Sequence, residues 1–305
     1  MGVHISESWP DLLEPNVKVL SDEATRFDSK SSMLSKIFDM KKSGKSYEKF
    51  SSASTVDDFE SFTGTVGYSD TFQGFDTRIE FPEFVKGIKI ERKLKDDDET
   101  NIIASRSASI GHSYVRSREK VGAQVWNEAF TTDSNDNVTH SEGGELCASD
   151  HAYTNGSTAT QSNEGTTAFS ATSVEATRQL MCAFRGDNQE IISINPDTLL
   201  VPIGLEETGF EIINSKGKIN TDANNVNFHE GKYKLMVWKN FLTDADNWFM
   251  IDYNLMKQFL KWYDRIPLEV NQDSDSDTLV AKYIGYCRFW RWWINWRFCF
   301  GHLVG

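Results

Sequence analysis

Residues Phe289 to Phe300 read FWRWWINWRFCF and hold four of the chain's nine tryptophans. Positions 290, 292, 294, 296, 298 and 300 are all apolar, while Arg291, Asn295 and Arg297 fall on odd positions. A period of two is that of a strand with one wholly apolar face and one mixed face, whereas helical spacing puts the three polar residues on no common side. Those residues also break the run well short of the ~18 apolar residues of a membrane span, so no membrane partner is expected. Stacking of nucleic-acid bases is opposed by 45 acidic against 32 basic residues, a formal charge of −13. The segment therefore predicts a buried strand that needs a large apolar partner.

That partner is expected in residues 98–130, which contain no proline and begin after the acidic run Asp96, Asp97 and Asp98. Apolar residues recur there at helical spacing, which predicts one long helix of roughly 40 Å at 1.5 Å per residue. Gly111 and Gly122 each weaken it by about 1 kcal/mol relative to alanine, so close approach of another backbone is expected at both. The even face of the tail, with Trp290, Trp292 and Trp296, is expected to cover Tyr114, Val121 and Val125 as one core. The mixed face is left for solvent or a neighbouring subunit.

Around this pair the chain divides unevenly. Residues 1–50 are polar with short amphipathic patches, among them a helical turn or two in SSMLSKIFDM carrying Met33, Leu34, Ile37 and Phe38. They read as an arm that docks elsewhere. Residues 51–81 form an extended loop rich in Ser, Thr, Gly and Asp with Phe59, Phe62, Tyr68 and Phe72 spaced through it. Alternation from Phe75 to Phe81 and the run FVKGIKIER predict two strands that project with this loop as a two-stranded element. Such a ribbon is marginal in water and needs a neighbour.

Residues 131–167 are a second polar excursion. From residue 170 a mixed region follows: a helix capped by Thr172 and Glu175 in TSVE, strands in EIISI and TLLVP, a helix at about 205–214, and buried strands in KYKLMVW and WFMID.

Motifs for chemistry fail on spacing. SGKS at Ser43 to Ser46 would need a glycine where Asp39 stands to form a phosphate loop. DSDSD from Asp273 offers Thr278 and Ile284 where a calcium loop needs glycine and glutamate, and DSNDN offers Val138 and Gly144. Cys147 and His151, with Asp150 or His140, lack the spacing of a structural zinc site. No GxSxG elbow occurs, the four cysteines form no framework, and the N-terminus has no basic start and apolar run of a secretory leader. No catalytic, cofactor or metal residue is predicted. Two rival readings stand beside a structural protein: an enzyme with a carboxylate-based site in the mixed region, and a monomeric binding module.

VGAQVWNEAF (121–130), LCASDH, INPDTLLVPIGLEETGFEIINS (194–215) and DANNVNFHEGKYKLMVWKNFLTDADNWFMID (222–252) occur in one order. In these blocks the chain resembles the major capsid proteins of tailed bacteriophages, including Mu-type head subunits, over about residues 12–301. The resemblance implies an α+β fold: an N-terminal arm (1–50), an extended two-stranded loop (51–81), a peripheral domain (82–169) on a spine helix (98–130), and an axial α/β domain (170–268). Terminal strands (269–305) then return to the peripheral domain. It also implies self-assembly as hexamers and pentamers into an icosahedral head around double-stranded DNA. No catalytic centre, cofactor or metal carries over. Implied partners are other copies of the chain, a separate scaffolding protein, a portal and decoration proteins, with weak non-specific contact to the packaged DNA. The location implied is the virion, after assembly in the host bacterial cytoplasm. Phe59, Phe62, Tyr68, Phe72, Ile37 and Phe38 become candidate intersubunit contacts. The lysines of the arm, Lys36, Lys41, Lys42, Lys45 and Lys49, become candidate inward-facing contacts to DNA.

Overall fold

The computed structural model describes residues 19–26, 32–54, 56, 58, 59, 61, 62, 64–66, 68, 73–91, 93, 102–131, 137–155, 157–217, 225–275 and 280–305. In chain order its elements are α1 (19–26), α2 (Leu34–Ile37), β1 (Asp39–Lys42), β2 (Tyr47–Ala53), β3 (Gln73–Glu80), β4 (Glu83–Glu91), α3 (Ile102–Asn127) and β5 (Val138–His140). Next come β6 (His151–Ala152), β7 (Thr160–Gln161), β8 (Glu164–Gly165), α4 (Ala171–Cys182), β9 (Thr198–Val201), α5 (Glu206–Asn214), β10 (Lys234–Val237) and β11 (Trp248–Ile251). The chain closes with α6 (Tyr253–Phe259), β12 (Leu260–Asp275), β13 (Val280–Trp293) and β14 (Cys299–His302). Helices and mostly antiparallel sheets share the chain, the α+β class expected.

A four-stranded sheet in the order β1-β12-β13-β4 forms the platform under α3. Its long central strands pair from Leu260↔Trp293 to Asp275↔Val280, with register shifts between Asp264 and Glu269. Pro267 sits inside that irregular stretch, where a bulge spares the ladder a missing N–H donor. A five-stranded sheet in the order β10-β9-β11-β14-β8 forms the second body. Its β9 and β11 are buried at every residue, which is why TLLV and WFMI read as unbroken apolar runs. A smaller sheet, β2-β3-β5, carries the ribbon.

The tail is not one strand. Its first half ends β13 at Trp293, the chain bends, and Cys299–His302 crosses into the five-stranded sheet between β11 and β8. The last described residues therefore close the five-stranded sheet instead of returning to the platform under α3. The face that meets α3 is also reversed. Phe289 lies edge-on to Tyr114 with ring centroids 6.1 Å apart, and Arg291 donates from Nε to the Val121 carbonyl at 2.8 Å. Gly285, on the same face, leaves room for Ile110. The even face, with Trp290 paired to Tyr263, lies instead beneath the ribbon sheet, where Phe50 and Phe81 pack on Tyr263. Only near the helix end do Trp292 and Trp293 share a void of about 10 Å³ with Val125. Trp296 joins the same continuous core as Tyr114, Val125, Trp290 and Trp292 but farther along, stacking on His151 at 4.2 Å and meeting Phe184 edge-on at 5.1 Å. Because β13 is covered on both sides, a polarity alternation carries no information about which side faces the helix. Arg291 and Arg297, expected at solvent or a neighbour, are both buried, Arg297 by donating to the Arg185 carbonyl at 2.7 Å and pairing with Asp187 at 3.0 Å.

Gly111 meets the backbone approach expected of it, whereas at Gly122 the close neighbours are side chains of Leu34, Trp238 and Phe38 and not a second backbone. A Cβ at Gly111 would stand 2.2 Å from the Ser21 carbonyl oxygen of α1, and one at Gly122 would stand 2.3 Å from Leu34. The arm thus lies along α3, and β1 then adds to the platform in parallel with β12.

Three other local expectations change. The predicted pairing of the two strands around Pro82 does not form: β3 pairs with β2 and β5, whereas β4 pairs with β13. The polar excursion threads back into the core, burying Leu146, Cys147, His151 and Asn163. Helix α4 is capped two residues early, by Ser170 in a reciprocal pair with Ser173.

Candidate assembly surfaces

The ribbon is built to hold its tip away from the body. Strands β2 and β3 pair from Tyr47↔Glu80 to Ala53↔Gln73, and β5 braces the root through Thr77↔His140. Lys49 pairs with Asp76 at 3.1 Å, and Arg78 pairs with Glu80 at 2.7 Å while its guanidinium lies 4.2 Å above the Tyr47 ring. Hydrogen bonding to Ser51, then to Lys49, lowers the Asp76 carboxyl below its ordinary range. Beyond the strands the side chains find no cover from the described chain: Phe59 is 109% exposed, Tyr68 is 92% exposed, and Phe62, Val56 and Val66 are exposed with them. Phe72 lies outside the described residues. So many large apolar groups on one projection mark a surface made to be covered.

Ile37 and Phe38, expected at an intersubunit contact, are instead core residues of their own chain. Phe38 meets Trp262 edge-on at 5.6 Å beside Gly122. The tight turn of α2 directs both side chains inward, and Lys257 fixes the turn by donating to the Ser35 and Phe38 carbonyls, the latter at 2.7 Å. The arm lysines Lys36, Lys41, Lys42, Lys45 and Lys49 are all exposed. Three of them are partnered by carboxylates: Lys41 by Asp39, Lys45 by Glu48 and Lys49 by Asp76, each at 3.1 Å.

Other exposed apolar side chains lie on α5 and in the segments that flank it. Helix α5 turns Ile212 and Ile213 into the core but leaves Phe210 exposed, and Ile203, Val226 and Phe228 are exposed nearby in sequence. In EETGFEIIN the aromatic lies opposite Ile212 at i+2, the sequence signal that could have found it.

Between helix and platform lies an electrostatic clamp. Arg118 pairs with Asp264 at 2.9 Å and donates to the Tyr114 hydroxyl at 2.6 Å, and Trp262 donates to the other Asp264 oxygen at 2.9 Å. It locks α3 to β12.

The residues screened for chemistry do not assemble a reactive site. Cys147 lies 4.0 Å from Cys299, fully enclosed, and burial followed by that thiol neighbour raises its pKa well above the ordinary thiol value. His151 is held between Glu142 at 2.9 Å and Asn163 at 3.0 Å. Among the described residues no three His, Cys, Asp or Glu side chains converge as a metal would require. The Ser43 hydroxyl bonds Glu48 at 2.7 Å and accepts from the Lys45 amide at 3.1 Å, a side-chain turn instead of a phosphate cradle. Glu175 is brought to about 2 chiefly by its hydrogen bonds from Arg178. A general acid in a cleft would show the reverse. Among the described residues no helix is long and apolar enough to cross a membrane.

The model of the family described as phage capsid protein matches residues 75–299, from the ribbon's second strand to the tail. The chain belongs to the phage capsid protein family. No curated protein matches the sequence. Solved structures share the fold at low identity. A chain from the capsid of a native GTA particle has 11% identity and a TM-score of 0.58, with 87% of each chain covered. A Mycobacterium phage Bobi chain has 12% identity and a TM-score of 0.55, covering 90% of this chain and 89% of that one. The capsid structure of cyanophage P-SCSP1u gives 10% and 0.57, covering 89% and 88%. The capsid protein is thus a structural component of the virion with the tailed-phage major capsid fold.

Proposed function

We propose that the capsid protein assembles through hexamers and pentamers into an icosahedral head enclosing double-stranded DNA, and that the ribbon tip is laid over a neighbouring copy. The exposed Phe59, Phe62 and Tyr68 carry this reading, since covering each fully would stabilise a contact by about 1.5–3 kcal/mol while nothing in the described chain covers them. The working division is an arm (1–50), a loop (51–81), a peripheral domain (82–169), an axial domain (170–268) and terminal strands (269–305), with residues 299–302 counted on the axial side. Assembly in the host bacterial cytoplasm, a separate scaffolding protein, a portal and decoration proteins complete the proposal, with weak DNA contact through Lys36 and Lys42. The family match favours a shell subunit over an enzyme or a monomeric binder. Deleting residues 57–74 tests the loop: a folded subunit that forms no shells in negative-stain images is expected, and normal shells would overturn the role.

A further inference from the structure

Beside α3 runs a groove of about 550 Å³, with Met33, Val115 and Phe241 on its apolar floor and His112, Arg116 and Lys239 on its rim. The rim is unusual for this protein. The whole chain carries −13, yet Arg106, His112, Arg116 and Lys120 are the exposed charged or titratable side chains described on α3. The helix's single acid, Glu119, is buried and committed: it accepts from the Trp238 indole at 2.7 Å and from the Ser32 hydroxyl. Lys239 also reaches Glu206, at 3.5 Å, and is otherwise exposed.

We propose that this groove docks an acidic amphipathic peptide helix from a separate protein. Arg116 and Lys239 are the cations that line the groove, and the exposed Lys120, about 6 Å along α3 from Arg116 and outside the lining, extends the basic edge, which matches acids one turn apart on a second helix laid alongside. The apolar floor set between the cations takes that helix's anchoring side chains, as in other helix-in-groove contacts. A DNA duplex, the other polyanion available, would meet the rim phosphates-first and leave the floor unfilled, so the peptide fits better. The inference concerns the surface of one subunit and stands apart from shell assembly.

The test uses full-length protein and a fluorescein-labelled peptide of about 18 residues with Glu at i, i+4 and i+8 and Leu and Trp on the adjoining face, long enough to form helix on docking. Anisotropy in about 50 mM salt should show saturable binding that weakens about tenfold on raising salt toward 300 mM. Arg116→Glu with Lys239→Glu should abolish it, Phe241→Ser should weaken it, and Lys86→Glu on β4 should leave it unchanged. Arg116→Gln alone, with folding checked by circular dichroism, serves if the double variant is unstable. Absence of saturable binding, equal binding of a peptide with Lys in place of Glu, or indifference to the rim variants would overturn the proposal. So would a 20-base-pair duplex that binds as tightly with the same sensitivity to Arg116, which would assign the groove to nucleic acid. Failure here leaves the loop-deletion result untouched, and the reverse also holds.

Discussion

The segments around Phe289–Phe300 and Val56–Tyr68 are both rich in large apolar side chains, yet the first is buried almost throughout and the second is almost wholly exposed. The difference lies in what each chain stretch is given to lie on. The tail has α3 on one side, the ribbon sheet on the other and β11 at its end, whereas among the described residues the loop tip has only the two strands that carry it. Aromatic density therefore does not distinguish a core from an interface in this capsid protein. The supply of intrachain neighbours does.

Substitutions can break that contrast. The largest effect on subunit stability is expected from Phe289→Ala, which empties a site stacked against Phe84 at 4.5 Å and Trp262 at 5.2 Å. A loss of about 3–5 kcal/mol is expected in urea unfolding, and a loss under 1 kcal/mol would refute the two-sided core. Asp264→Asn should cost less, about 2 kcal/mol, because it leaves Arg118 facing a neutral amide in a half-covered clamp. Replacing the clamp's carboxylate with no measurable change would mean that the pair is screened.

A pH series comes next. Burial lowers His302 to about 4, with Thr177 2.8 Å from its Nε2 and Trp248 stacked on the ring. Its folded pKa lies below the unfolded one, so the unfolded chain binds the extra proton. The contribution is whole above about pH 6.5 and declines by about 1.4 kcal/mol per pH unit on acidification toward pH 4. Burial likewise lowers His140 and His229, which adds to the same slope. His302→Gln should flatten the acid limb, and an unaltered limb would assign it to other groups. The smallest effect on the subunit belongs to Phe59→Ser with Phe62→Ser, whose melting should stay within about 0.5 kcal/mol of the parent while shells fail to form. A destabilised subunit would place those rings in an intrachain core instead.

Much of this architecture was legible in the residues. The long helix α3, the backbone approach at Gly111, the buried strands TLLV and WFMI and the exposed ribbon tip all follow from periodicity and turn chemistry. What escaped shares one cause, long-range cover. Alternation in β13 gave its strand character but not the identity of the covering layer, so Arg291 was assigned outward when a carbonyl of α3 receives it. Ile37 and Phe38 looked like free apolar groups on an arm because nothing local announces that β1 joins β12. The bend between Trp293 and Cys299 was hidden by an unbroken aromatic run.

The position of β14 bears on how the molecule is made. Cys299–His302 is the last described strand to be synthesised, yet it sits inside its sheet, between β11 and β8. Until those residues leave the ribosome, β11 presents an open edge of wholly apolar strand, the condition under which nascent chains aggregate or recruit chaperones. Chains stalled just before residue 299 should accordingly be protease-sensitive in the five-stranded sheet and bind holdase chaperones. Equal protection before and after release would contradict this. The last described strand is thus the keystone of its sheet: β8 and β11 are joined through β14 alone among the described strands.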